Sequence, residues 1–195
     1  AQYLALKPEI DAEIQSVVES SAFILGKPVA ELEEKLAEYV GRKYCVTCAN
    51  GTEALQLSLM SMDIGPGDAV FTSDFTYFAS AGCAAILGAT PILVDIDLNT
   101  FNISPEALER AILHVIEEGK LNPKVIIPVD LFGQPADYDK ILPLAEKYGL
   151  KVLEDAAQGF GGSLHGKLAC SFGDMSATSF FPAKPLGCYG DGGAI

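Results

Sequence analysis

The chain has 195 residues, of which 49% are hydrophobic and 20% are charged, and its formal net charge is −13. This length and composition allow a large buried core, and the acidic balance opposes binding to nucleic acid or to an anionic membrane. Five cysteines without framework spacing suit a reducing cytoplasm better than a secreted disulfide protein. With neither a membrane-length apolar run nor a signal pattern at the N-terminus, we expect a soluble cytoplasmic protein.

Apolar runs with strand propensity alternate with helical patterns along the chain. Strands are predicted at about 44–48, 69–73, 91–95, 124–129, 151–154 and 177–181, and helices at about 8–20, 28–40, 52–62, 77–87, 105–118 and 137–148. This alternation predicts the α/β class, with a mostly parallel sheet covered by helices on both faces. Because no repeat or low-complexity linker interrupts it, we expect one domain.

The first chemically suggestive feature is the turn Asn50-Gly-Thr52, where a strand-like run passes through a glycine into a helix-prone segment. Free backbone N–H groups at a helix start, together with the hydroxyl of Thr52, can bind an anion such as phosphate. An ordinary Asn-Gly turn, with Thr52 as a helix cap, is the alternative.

Carboxylates end three of the predicted strands, at Asp95, Asp130 and Asp155. Ligands of open parallel sheets bind beyond the carboxyl ends of the strands, so each of these side chains is a candidate for contact with a cofactor or substrate. Gln158 follows Asp155 by three residues. Position alone does not choose among the three aspartates.

Lys184 lies in a loop that isolates it. Pro182 and Pro185 bracket the lysine, so neither a regular helix nor a sheet ladder runs through it. The preceding β-prone run delivers the amine to a strand end, and the following glycines let the backbone pack closely. This arrangement makes Lys184 a candidate nucleophile, and a surface lysine in a turn is the alternative.

The other polar candidates carry less chemistry. His114 is expected on a solvated helix and His165 in a hairpin turn after the strand that carries Asp155. Cys45 and Cys48 form a lone Cys-x-x-Cys inside a strand pattern, so we interpret them as core thiols and predict no metal site. No Gly-x-Gly-x-x-Gly follows the first strand, which argues against a Rossmann dehydrogenase.

An amine, a strand-end acid and a phosphate turn are what pyridoxal 5'-phosphate (PLP) requires of a protein. On these features the sequence resembles the DegT/DnrJ/EryC1/StrS family of nucleotide-sugar aminotransferases, whose large domain has the three-layer α/β/α architecture of fold-type I PLP enzymes. The resemblance rests on motifs that occur in this order: Phe23-Ile-Leu-Gly-Lys-Pro-Val29, Asn50-Gly-Thr52, Asp74-Phe-Thr-Tyr77, Asp155-Ala-Ala-Gln158 and Ser179-Phe-Phe-Pro-Ala-Lys184.

The resemblance implies a role for each matched position. Lys184 would form the Schiff base with PLP and later move a proton between the substrate carbon and the cofactor. Asp155 would keep the pyridine nitrogen protonated. The other positions would bind the cofactor, through its phosphate (Gly51, Thr52 and Ser179), its ring face (Tyr77) and its ring hydroxyl (Gln158).

The resemblance also implies a function, which is transfer of an amino group from glutamate to a nucleotide-linked keto-sugar, most similar to the branch that aminates C3 of UDP-linked 3-keto hexuronates. A 4-keto-sugar aminotransferase, a sugar dehydrase and a non-catalytic regulator stay open as alternatives, although the dehydrase branch has a histidine where Lys184 stands. Family members are homodimers with shared active sites and are roughly twice this length. We therefore expect residues 1–195 to be an incomplete PLP-binding large domain.

Overall fold

The computed structural model describes residues 2–195. The helices are α1 (Gln2–Ser20), α2 (Lys27–Val40), α3 (Gly51–Ser61), α4 (Ala79–Ile86), α5 (Pro105–Glu118) and α6 (Tyr138–Tyr148). The strands are β1 (Thr47–Cys48), β2 (Asp68–Ser73), β3 (Thr90–Val94), β4 (Asn122–Ile127), β5 (Lys151–Asp155), β6 (Ser163–Leu164), β7 (Lys167–Leu168), β8 (Met175–Ser179) and β9 (Gly193–Ala194). None of the helices in this described part of the chain has the length and hydropathy needed to cross a membrane.

Seven strands form the main sheet, in the order β1-β9-β8-β5-β4-β2-β3. The five strands from β8 to β3 pair in parallel, whereas β9 pairs antiparallel with both β8 and β1. The predicted mostly parallel sheet is therefore confirmed. Parallel pairing places the carboxyl ends of β2, β4, β5 and β8 along one edge of the sheet, where α/β proteins bind their ligands.

Helices cover both faces of the sheet, as the sequence predicts. Successive side chains of a strand point to opposite faces, so a strand of apolar residues needs a covering layer on each side. Val70 and Phe71, adjacent in β2, are both fully buried, but they belong to different apolar clusters. Val70 packs in the cluster that contains residues of α3 and α4, and Phe71 packs in the cluster that contains residues of α5 and α6. The result is a three-layer α/β/α arrangement.

Several elements differ from the predicted bounds, and three of the differences have a clear local cause. Helix α1 begins at Gln2 and contains Pro8 in its interior; the segment before Pro8 is rich in strong helix formers, and one proline removes only one intrahelical hydrogen bond. The strand predicted at 44–48 is reduced to the two residues that pair with β9. Strand β8 ends at Ser179 rather than at 181, because Phe181 begins a turn in which its carbonyl accepts from the Lys184 N–H at 2.8 Å.

Candidate active site

A cleft of about 960 Å³ opens at the carboxyl edge of the sheet. The start of α3, the segment before α4, the ends of β5 and β8 and the loop after β8 form its walls. The cleft brings together every residue to which the family resemblance assigns a role, since its lining includes Gly51, Thr52, Tyr77, Asp155, Gln158, Ser179 and Lys184. Gly51 and Lys184 are 133 residues apart in the chain, so only folding brings them into one cleft.

Helix α3 begins at this cleft with Asn50 as its N-cap, and the side chain of Glu53 reaches back to the residue before the cap. Asn50 has extended backbone angles and accepts from the Glu53 N–H through its side-chain oxygen at 2.9 Å. The Glu53 carboxylate in turn accepts from the Ala49 N–H at 2.6 Å. The N–H groups of Gly51 and Thr52 are the remaining donors of the first turn and have no intrahelical acceptor, so together with the helix dipole they suit an anion.

Gly51 packs directly against Ser179 at the end of β8. A Cβ atom added at Gly51 would lie 2.7 Å from the Ser179 Cβ, which is closer than two carbon atoms can pack. Glycine therefore allows the helix start to approach the strand end. Ser179 is buried, and its hydroxyl accepts from the Phe181 N–H at 3.3 Å, so this hydroxyl is fixed beside the free N–H groups of α3.

Asp155 ends β5 with a carboxylate that is only 5% exposed. Its Oδ2 accepts from the Ser80 hydroxyl at 2.8 Å, and its Oδ1 accepts from the Ala157 N–H at 3.2 Å. Burial raises the pKa of Asp155, while these two hydrogen bonds and the positive charge of Lys184 act in the opposite direction. The cleft thus contains a fixed acid whose protonation depends on a balance between burial and its donors.

Asp130, the second strand-end aspartate, has other partners. Its Oδ1 accepts from the Ala136 N–H at 3.0 Å and from the Tyr138 hydroxyl at 2.8 Å, and the residue is fully buried. Burial raises the pKa of both Asp130 and the neighbouring Glu154, so a proton on Glu154 can supply the donor that Asp130 Oδ2 lacks among the described residues. Of the three strand-end aspartates, Asp155 alone lines the cleft in the described part of the chain.

Lys184 lies in a closed loop after β8. Besides the turn closed by its own N–H, the Cys188 N–H donates to the Phe180 carbonyl at 2.8 Å, and the Phe180 N–H donates to the Gly192 carbonyl at 2.7 Å. The side chain is half-buried and lines the cleft, and its charge lowers the pKa of Asp155. The loop thus presents an amine on the side of the cleft that contains the acid.

Gln158 and Tyr77 complete the predicted set. The Gln158 Oε1 accepts from the Phe132 N–H at 2.9 Å, which leaves the amide NH₂ group available as a donor. Phe132 has a left-handed backbone with φ 58°, which is uncommon for a bulky residue, and it also lines the cleft. The Tyr77 side chain lines the cleft while 72% exposed, so its ring is accessible.

The remaining sequence candidates lie elsewhere. His165 sits at the turn of the β6–β7 hairpin and contacts Asp139 at 2.8 Å, and His114 is exposed on α5. Cys45 and Cys48 are free, and no cluster of potential metal ligands occurs within residues 2–195.

Three residues in or beside the cleft, Ser80, Thr76 and Asp191, were not predicted from the sequence. Thr76 and Asp191 line the cleft, and Ser80 contacts Asp155. Ser80 is the one residue with a hydroxyl in the eight-residue helix α4, and this residue type was the only indication in the sequence that the position makes a polar contact.

Similarity to known proteins extends over nearly the whole chain. The sequence profile of the DegT/DnrJ/EryC1/StrS aminotransferase family matches residues 5–195. The UDP-2-acetamido-2-deoxy-3-oxo-D-glucuronate aminotransferase of Pseudomonas aeruginosa is 53% identical over 194 residues, which cover 100% of this chain and 52% of that protein.

Solved structures agree with the sequence match. The crystal structure of a DegT DnrJ EryC1 StrS aminotransferase from Brucella abortus has a TM-score of 0.98 and 51% identity, over 100% of this chain and 52% of that one. NtdA from Bacillus subtilis, solved with bound cofactor PMP, has a TM-score of 0.86 and 33% identity, over 96% of this chain and 41% of that one. The chain spans about half the length of the relatives that it matches.

Proposed function

The chain belongs to the DegT/DnrJ/EryC1/StrS aminotransferase family, and from this premise we propose that the protein is a PLP-dependent aminotransferase. Its substrate is a nucleotide-linked keto-sugar of the UDP-linked 3-keto class, which it converts to the amino sugar with glutamate as the amino donor. The observation that carries the proposal is the cleft, in which a lysine, a buried carboxylate and a helix N-terminus meet. The fold alone would not support this proposal, because proteins that share a fold can have different functions, which depend on the residues of the site.

The residues of the cleft fit PLP. The space between α3 and β8 is narrow because Gly51 packs against Ser179, and it offers unpaired N–H groups and two hydroxyls to a phosphate. Asp155 offers a carboxylate to the pyridine nitrogen, and Gln158 offers an amide donor to the ring hydroxyl. The exposed Tyr77 ring offers a face for offset stacking.

When bound, PLP supplies an electron sink for the carbon that gains or loses the amino group. The protein contributes the proton transfers and the charge. Lys184 holds the cofactor through its Nζ atom and, when released, moves the proton at the reacting carbon. Asp155 keeps a proton on the ring nitrogen, and the closed loop around Lys184 keeps the amine within reach.

The substrate class rests on the relative that is 53% identical, whose name specifies a UDP-linked 3-oxo sugar acid. The described residues supply the amination chemistry, and the groups that choose between C3 and C4 ketones are expected partly in other parts of the protein and in a partner subunit. A 4-keto-sugar aminotransferase is the nearest alternative, and Lys184 argues against the dehydrase branch.

Five free cysteines support a reducing, cytoplasmic location for this activity. A thiol buried at Cys83 or Cys170 is compatible with a reducing compartment, and no pair of cysteines in the described chain is joined. Nucleotide sugars and glutamate are expected in the same compartment.

Lys184 should be the point of covalent attachment for PLP. Borohydride treatment of the full-length protein should remove its visible absorbance, and peptide mass spectrometry should then locate the pyridoxyl group on Lys184. The change Lys184→Ala should lower turnover by at least about 10³-fold, because alanine has no amine to hold the cofactor or to move the proton. Lys120→Ala, at an exposed lysine far from the cleft, should leave turnover unchanged. A pyridoxyl group on another lysine would overturn the assignment.

Asp155 rather than Asp130 should stabilise the protonated ring. Asp155→Asn should lower kcat/KM by about 10²-fold to 10³-fold, since the amide cannot compensate the positive charge that develops on the ring. Asp130→Asn is the matched control, because its amide can still accept from Tyr138 and can donate to Glu154, so activity should persist. The assignment is wrong if the effects of the two changes are reversed in steady-state assays.

The full-length protein should be a homodimer. Phe23, Ile24 and Leu25 form a consecutive apolar run that is 65%, 88% and 85% exposed, and exposed apolar patches typically mark interaction surfaces. Twofold pairs are also the commonest oligomers. Light scattering should therefore give twice the mass of the full-length chain, and a monomer with full activity would contradict this.

The substrate class is best tested in the reverse direction. Purified full-length protein is offered 3-amino and 4-amino UDP-sugars with 2-oxoglutarate, and glutamate formation is followed. The proposal predicts turnover of the 3-amino sugars. Turnover restricted to 4-amino sugars would overturn the C3 assignment alone, whereas acceptance of simple amino acids with no sugar turnover would overturn the sugar assignment.

A further inference from the structure

Ser80 is a fully buried serine in α4 that lies against the Asp155 carboxylate. Its hydroxyl oxygen is 2.8 Å from Asp155 Oδ2, 3.2 Å from the Tyr77 carbonyl oxygen and 3.2 Å from Thr76 Oγ1. The Ser80 hydroxyl therefore connects the candidate acid to the segment that carries the candidate stacking residue.

The single proton of this hydroxyl has one preferred acceptor. Asp155 is both the nearest of the three partners and the only one that can carry a negative charge, and charge-assisted hydrogen bonds are about twice as strong as neutral ones. When the Ser80 hydroxyl donates its hydrogen bond to Asp155, the Ser80 oxygen is free to accept from the Thr76 hydroxyl. Ser80 and the Ala157 N–H together then hold both carboxylate oxygens in place.

The Ser80 hydrogen bond also opposes the effect of burial on the acid. Burial raises the pKa of Asp155, and among the groups that lower it the Ser80 hydroxyl has the largest effect, ahead of the Ala157 N–H and the Lys184 charge. Three other ionisable groups interact with Asp155 from the surrounding elements, namely Cys83 of α4, Asp130 after β4 and Tyr138 of α6. Lys184 is the one cation among these partners, so the Ser80 hydroxyl is the strongest of the influences that favour the ionised form of Asp155.

Resting on the proposed function, we propose that Ser80 is a positioning residue that acts through Asp155. Its hydroxyl keeps the carboxylate ionised and turned toward the cleft, so that the proton shared with the ring nitrogen of bound PLP stays on the nitrogen. Ser80 does not line the cleft itself.

The reason is the competition between two bases for one proton. A carboxylate that accepts a hydrogen bond from Ser80 is less basic, and it leaves the proton on the ring nitrogen. Without the serine hydroxyl, Asp155 becomes more basic and draws the proton toward itself, which weakens the electron sink. The change acts on the rate of chemistry rather than on substrate binding, so kcat should fall while KM stays constant.

The test uses full-length protein loaded with PLP that is ¹⁵N-labelled at the ring nitrogen. The ¹⁵N chemical shift reports the protonation of that atom directly. Ser80→Ala should move the shift toward the value of a neutral pyridine and lower kcat by about tenfold or more, the effect expected for one hydrogen bond to a charged group. Ser80→Thr, which retains a hydroxyl, should restore the wild-type shift. Ser58→Ala, at an equally buried serine of α3 that bonds only the Ala54 carbonyl, should leave both readouts unchanged.

A second measurement does not require the cofactor. In the cofactor-free full-length protein, Ser80→Ala should raise the pKa of Asp155, followed by ¹³C NMR of the aspartate carboxyl carbons and assigned through Asp155→Asn. An unchanged ¹⁵N shift together with an unchanged Asp155 titration would overturn the role of Ser80, even if the variant were less stable. If the wild-type protein bound no PLP, the proposed function would fail instead, while the ¹³C titration would still decide whether Ser80 controls Asp155.

Discussion

The parallel pairing of β5 with β8 is the constraint on which the candidate site depends. Leu153, Glu154 and Asp155 lie opposite Met175, Ser176 and Ala177, so Asp155 is in register with a strand that ends two residues later at Ser179. Because parallel strands end at the same edge of the sheet, Asp155 at the end of β5 lies beside the loop that follows β8 and contains Lys184. A shift of register by one residue would turn Asp155 to the opposite face of the sheet.

The charge of the protein opposes binding of its proposed ligands. The chain carries a net charge of −13, and the proposed cofactor and substrate are also anionic, so the two repel each other at long range. The positive contributions to the local field come from the N–H groups at the start of α3 and from Lys184, while the carboxylates of Asp155 and Asp191 line the same cleft. Screening limits the influence of distant acidic side chains to about 10 Å at ordinary ionic strength, so local donors can dominate. The close packing of Gly51 on Ser179 brings these donors to the strand ends.

Much of this arrangement could be predicted from the sequence, and the part that could not has a physical explanation. The alternation of strands and helices predicted the parallel sheet, because buried strands and amphipathic helices have different periodicities. The turn at Gly51, the lysine between two prolines and the strand-end acid were visible as local patterns. No local pattern distinguished Asp155 from Asp130, because the difference arises from Ala136 and Tyr138, which donate hydrogen bonds to Asp130 in the folded chain. Ser80 was missed because a serine in a short helix has no local signature, and its value lies in a contact 75 residues along the chain.

A crystal structure of the full-length protein grown with PLP tests the proposed site most directly. We expect continuous density from the Lys184 Nζ atom to the cofactor, the phosphate against the N–H groups of Gly51 and Thr52, and the ring nitrogen on the Asp155 carboxylate. The proposed site is wrong if the cofactor binds outside this cleft, or binds within it with its ring nitrogen away from Asp155 and with Lys184 unattached.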